Sequence, residues 1–205
     1  MDAEKYWDGN WEKEEKIAVS NYAKRCYKRI NTKDFASLLD VGCGDGTDSL
    51  YFAKKGFEVT SVDISGSALE QLKSAIVKRG LRNIHVIKAD IDNLDIDDNV
   101  FDVIYANSSL HYFDDELTTE IFHKLFRCLR TGGLIFVKCK STDDRLYGNG
   151  KQIGRDMFLR GHMRHFFNKE YMIEKLERFE ILKIRKTTSI YFGYKSCFIE
   201  AVSTK

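Results

Sequence analysis

The residues most able to do chemistry lie in one short run, Asp40-Val41-Gly42-Cys43-Gly44-Asp45-Gly46, with Asp48 just beyond it. Glycine has no Cβ, so the turn can be tight and its backbone amides can come close to a ligand. The spacing is Gly-x-Gly-x-Gly. A dinucleotide pyrophosphate on a helix N-terminus goes with Gly-x-Gly-x-x-Gly instead. Asp40, Asp45 and Asp48 flank the turn. Such a cluster repels a pyrophosphate and attracts a cationic sulfonium or α-amino group. Asp63 follows 23 residues after Asp40. An acid about 20 residues past a Gly-rich turn accepts hydrogen bonds from ribose hydroxyls. Asp90 is placed to accept from an adenine amino group. The weaker alternatives are a plain strand-to-helix connection for the turn, a helix cap for Asp63 and a turn acid for Asp90.

Together the acids favour S-adenosylmethionine over a nicotinamide dinucleotide. A second set of residues could handle a methyl acceptor. Asn107-Ser108-Ser109-Leu110-His111-Tyr112-Phe113 places His111 at the expected mouth of the site. An imidazole with an ordinary pKa of about 6.5 suits a general base for a hydroxyl or thiol. Packing against the following helix is the alternative. The other segment is Gly161-His162-Met163-Arg164-His165-Phe166-Phe167, with Arg145, Tyr147, Arg155 and Arg160 upstream. Arginine clamps carboxylate or phosphate through paired hydrogen bonds. His111 and His165 are thus the candidate catalytic groups. Tyr112, Arg145, Tyr147, His162 and Arg164 are the candidate substrate contacts. The expected acceptor is small and polar or anionic. A solvated basic surface is the competing reading of the arginines.

Short apolar runs alternating with helical patterns must position these groups, which predicts a parallel sheet with crossover helices. Strands are expected at 37–41, 58–62, 85–89, 101–106 and 134–139. Helices are expected from Thr47 or Asp48 to Gly56, and from a Ser67-x-x-Glu70 capping box to Arg79. Another is capped by Asp114 and ends at Thr131-Gly132-Gly133. After a helix over 169–177, runs at 179–188 and 195–203 predict an antiparallel hairpin turning near Gly193. Residues 12–30 read as one N-terminal helix. Residues 141–167 read as irregular and polar, and such stretches in a compact domain are usually functional or mobile.

Leu38-Leu39-Asp40-Val41-Gly42-Cys43-Gly44-Asp45-Gly46, Val62-Asp63-Ile64-Ser65, Lys88-Ala89-Asp90-Ile91 and Thr131-Gly132-Gly133 resemble the successive motifs of class I S-adenosylmethionine-dependent methyltransferases. The resemblance spans about residues 37–140. It implies a Rossmann-like α/β three-layer sandwich, with a seven-stranded, mostly parallel sheet ending in an antiparallel hairpin. It implies that Asp40 and Gly42 hold the methionine moiety, with Cys43 and Gly44 in the same turn. It also implies Asp63 and Ile64 at the ribose, Asp90 and Ile91 around adenine, and Asn107 and Ser108 on the sulfonium side. The opening Tyr6-Trp7-Asp8 and Trp11 are similar to the start of small-molecule methyltransferases of the thiopurine and tellurite-resistance type. That similarity adds Trp11 to the expected cofactor contacts. The Asp/Asn-Pro-Pro-Tyr/Phe run common in amino- and nucleobase-directed N-methyltransferases is missing after the fourth strand.

The 205 residues suit one domain, divided as an N-terminal arm over 1–36 and a cofactor-binding domain over 37–205 with a substrate lid near 141–167. A net charge of +2 is too mild to indicate nucleic acid as a partner. No apolar run approaches the ~20 residues of a membrane span. The polar start shows no secretory signal. Five scattered cysteines without a Cys-x-x-Cys pair indicate neither a disulfide framework nor a metal site, and fit a reducing cytoplasm. The expected partner is a small-molecule methyl acceptor, with the chain as a monomer or homodimer. The rival readings are a methyltransferase acting on RNA or protein, and a silent cofactor-binding subunit.

Overall fold

Alternation of apolar residues along the central strands gives the sheet two buried faces, and each face is covered by helices. The computed structural model describes residues 2–12, 18–30, 34–191 and 193–205. The parallel strands are β1 (Ser37–Val41), β2 (Glu58–Asp63), β3 (Ile84–Lys88), β4 (Phe101–Asn107) and β5 (Leu129–Lys140). The helices among and before them are α1 (Ala3–Trp11), α2 (Asn21–Tyr27), α3 (Thr47–Lys54), α4 (Gly66–Arg79) and α5 (Asp115–Cys128). Beyond β5 come three short strands, β6 (Lys151–Gly154), β7 (Met157–Arg160) and β8 (His162–His165), then α6 (Lys169–Lys175). The hairpin β9 (Glu180–Tyr191) and β10 (Tyr194–Thr204) completes the chain.

The main sheet has seven strands in the order β3-β2-β1-β4-β5-β10-β9. β10 runs antiparallel to both β5 and β9. The order reverses between β1 and β4, the switch point where doubly wound sheets open a crevice at their strand ends. On one face Leu39, Ile104 and Val137 pack with Ile121, Leu125 and Met172 of α5 and α6. On the other, Leu38, Val103 and Phe136 pack with Ala23 and Cys26 of α2 and Phe52 of α3. Side chains alternate in this way because strand residues point to opposite faces with period two.

Several sequence expectations need correction. Residues 12–30 do not form one helix: α1 ends at Trp11 and α2 begins at Asn21, while residues 13–17 lie outside the described residues. The cap of α4 is Ser65, whose Oγ accepts from the Ala68 amide at 3.2 Å. Ser67 Oγ donates to the Asp8 backbone carbonyl instead. Helix α5 stops at Cys128, and Thr131-Gly132-Gly133 lies within β5. The stretch predicted as irregular holds a three-stranded antiparallel sheet, β6-β7-β8. Its strands are four residues each, and their burial patterns show no clear alternation. All five cysteines are free thiols. Among the described residues, no helix is long and apolar enough to cross a membrane.

Candidate active site

The glycine turn sits at the carboxyl end of β1 and is held from below by β2. The Gly42 and Cys43 amides both donate to the Val62 carbonyl, at 2.8 and 3.0 Å. Gly42, Gly44 and Gly46 all have positive φ. At Gly44 a Cβ would lie 2.3 Å from the Trp11 ring. Trp11 of α1 therefore lies directly against the turn.

The acids at the strand ends each have a defined setting. Asp63 accepts from the Gly44 amide at 2.8 Å and the Ser65 amide at 2.9 Å, which ties the end of β2 to the turn. Burial pushes its carboxyl up, against the pull of those amides. Asp40 is buried and accepts from Ser49 Oγ at 2.6 Å. Burial raises its pKa to about 8, opposed by the Ser49 hydrogen bond and reinforced by Asp48, Asp63 and Asp45. Asp90 is also pushed up, chiefly by burial and then by Asp92. A site with several acids raised by burial and mutual repulsion favours a cation.

These groups share one cavity of about 780 Å³. Asp40, Gly42, Cys43, Gly44, Asp63, Ile64, Asp90, Ile91, Asn107, Ser108 and Trp11 all line it, so every residue expected to touch the cofactor is brought together. Of the expected acceptor residues, only Tyr112 lines it. Its ring meets Trp7 edge-on at 4.8 Å and His162 at 5.1 Å. Arg164 lies behind, bonded to His162 Nε2 at 2.8 Å and positioned over the Tyr112 ring.

The other residues expected at the acceptor do not line this cavity. His111 is fully buried and does not line the cavity. Ser108, at φ +63°, turns the chain back, so that His111 Nδ1 accepts from the Lys140 amide at 3.4 Å and its carbonyl accepts from the His165 amide. Burial, with Arg164 and Lys140 nearby, holds its pKa well below the usual value. Its Nε2 is buried and has no hydrogen-bond partner among the described residues, so the ring lies inside the protein and not at the mouth of the cavity. His165 is likewise buried, 3.2 Å from the Tyr171 hydroxyl. Arg145 stacks on Tyr194 at 3.9 Å, and the Tyr147 hydroxyl donates to Asp156 at 2.6 Å. Neither lines the cavity.

Sequence reasoning placed Asp48 among the acids of the turn and Asn107 on the sulfonium side, but assigned no role to Ser20, Tyr105 or Lys138, which line the same cavity. Asp48, at the start of α3, accepts from the Ser20 amide and hydroxyl, the Tyr105 hydroxyl at 2.7 Å and the Asn107 amide group at 3.3 Å. Beside Asn107, in register on β5, stands Lys138. The available signal was Tyr105, Asn107 and Lys138 at alternate positions near the carboxyl ends of adjacent apolar strands.

Residues 38–133 match a family model described as a methyltransferase domain. This stretch, just under half of the chain, carries the glycine turn, Asp63, Asp90, Asn107 and Ser108, and it is similar to methyltransferase domains. Over 106 residues, 52% of this chain, the protein is 32% identical to a malonyl-[acyl-carrier protein] O-methyltransferase of Salmonella typhimurium, covering 39% of that protein. The chain thus spans about two fifths of the length of the curated relatives it matches first. In fold it is similar to a SAM-dependent methyltransferase of Methanosarcina mazei. The TM-score is 0.79 at 21% identity, over 92% of this chain and 99% of that one. It is also similar to a Burkholderia thailandensis 1,6-didemethyltoxoflavin-N1-methyltransferase, solved with 1,6-didemethyltoxoflavin and S-adenosylhomocysteine bound. There the TM-score is 0.70 at 19% identity, over 98% of this chain and 84% of that one.

Proposed function

We propose that the protein transfers the methyl group of S-adenosylmethionine to a small acceptor that is polar or anionic. The observation that carries this reading is the single cavity joining the glycine turn and the acids of β1, β2 and β3 to the ends of β4 and β5. The turn leaves room for a ligand to meet backbone, because its glycines occupy conformations that side chains rarely adopt. Asp63 is the group for ribose hydroxyls and Asp90 with Ile91 for adenine. The acids around Asp40 suit an α-amino group and a sulfonium.

When bound, the cofactor supplies an activated methyl for in-line displacement. The protein's own part is positional. Trp7, Trp11 and Tyr112 wall the cavity and limit water. Asn107 and Ser108 hold the edge between the cofactor end and the acceptor end. Fixing a nucleophile in line can supply several kcal/mol of the barrier. Neither His111 nor His165 faces the cavity, so this reading uses neither as a base.

Incubation with methyl-labelled S-adenosylmethionine and a panel of small acids, phenols, thiols and amines tests the reading. Label transferred to a small acceptor, with S-adenosylhomocysteine formed in equal amount, is expected. Label reaching only added RNA or protein would overturn the small-acceptor reading.

A further inference from the structure

The cavity continues past the glycine turn to β5, β9 and β10, where Lys138, Thr188, Ser189 and Glu200 line it, with Lys24 and Arg25 of α2. Lys138 is only 6% exposed. Its ammonium lies 4.0 Å from the Phe198 ring centroid and 5.5 Å from that of Tyr22. Among the described residues it has no hydrogen-bond acceptor and no carboxylate within ion-pair distance. The two nearby carboxylates are committed elsewhere. Glu200 accepts from Arg25, Arg185 and Thr187. Asp48 accepts from Ser20, Tyr105 and Asn107. A buried charge is costly unless paired, and ring faces repay only part of that cost. Lys138 lines the cavity.

We propose that this end of the cavity is the acceptor subsite, and that Lys138 is its charge-recognising residue, taking an acceptor that carries a carboxylate or phosphate group. The proposal rests on the methyl-transfer reading above. Lys138 is paired in register with Asn107, so an anion held there places the rest of an acceptor beside the β4 end. Burial lowers the Lys138 pKa to about 8, with Arg25 and Lys140 acting in the same direction and Glu200 and Asp48 against it. An incoming anion restores the full charge. Tyr22 and Cys26 of α2 also face this region, and burial keeps both protonated well above that range.

The test is calorimetric titration with benzoate, phenyl phosphate and neutral benzamide, run with and without saturating S-adenosylhomocysteine. Wild type is expected to bind at least one anion about tenfold or more tighter than benzamide, and which anion wins separates carboxylate from phosphate recognition. Its anion affinity should fall about tenfold from about pH 7 to about pH 9.5, as the ammonium deprotonates. Lys138→Met should lose the anion preference and keep S-adenosylhomocysteine affinity within about twofold. Anions binding no better than benzamide, or equally well to Lys138→Met, would overturn the proposal. So would a Lys138→Met protein that loses S-adenosylhomocysteine instead, since Lys138 would then serve the cofactor. Anion binding that depends on Lys138, in a protein that binds no S-adenosylhomocysteine, would sink the methyl-transfer reading and support the anion subsite.

Discussion

At the residue scale, two buried groups of opposite sign set the pH behaviour. Asp40 is raised to about 8 by burial. It is therefore largely protonated at neutral pH, and a cation arriving beside it favours ionisation. Binding of S-adenosylmethionine at about pH 7 should release up to about one proton, read by calorimetry in buffers of different ionisation enthalpy. Asp40→Asn should abolish that release. A raised acid stabilises the fold at low pH and loses this contribution as pH rises through its folded pKa. Asp40→Asn should accordingly lose less stability than wild type between about pH 6 and about pH 9. His162 is the opposite case: burial, then Arg164, lowers it to about 4. A depressed base contributes stability above its ordinary pKa of about 6.5, which is lost as pH falls toward the folded value. His162→Phe should escape about 2 kcal/mol of the loss seen in wild type between about pH 7 and about pH 4, measured by urea unfolding.

At the scale of elements, α1 has no buried residue and is held over the cavity by specific contacts. Asp8 accepts from Ser65 Oγ at 2.7 Å and the Ser67 amide at 3.0 Å, and Lys88 pairs with Glu4 at 2.6 Å. A segment that buries none of its residues and is held by a few polar and aromatic contacts opens at low free energy. Asp8→Ala should speed amide exchange in residues 3–11 at least about tenfold and leave the melting temperature nearly unchanged. Gly44→Ala should act differently, because its methyl meets the Trp11 ring and its φ is +56°. It should weaken S-adenosylhomocysteine binding as well as loosening α1; unchanged affinity would show that the turn is not a ligand contact.

The same elements show what was legible. The parallel strands and the hairpin were readable because apolar runs, glycine stops and a short turn punctuate them. The glycine turn and strand-end acids were readable because chemistry and position coincide there in sequence. Strands β6 to β8 were not, since strands of four residues are too short to show a period of two, and two adjacent residues of β7, Met157 and Phe158, are both buried. His111 was misplaced because a left-handed residue, Ser108, redirects the chain, and no local pattern announces that. Lys138 was missed because the strand pattern marks it as a core position, and only the open cavity beside it distinguishes it from a packing lysine.

At the scale of the molecule, the sheet brings these parts together by its order. The switch between β1 and β4 opens the crevice, and the neighbouring strand ends supply its acids on one side and Lys138 on the other. The most direct test of the account is calorimetric titration with S-adenosylmethionine and S-adenosylhomocysteine, with NADH and Asp63→Ala as controls. The account predicts micromolar binding of both sulfur nucleosides, no binding of NADH, and a loss of about tenfold or more in Asp63→Ala. A folded protein that binds neither nucleoside, or binds both as well after Asp63→Ala, would contradict it.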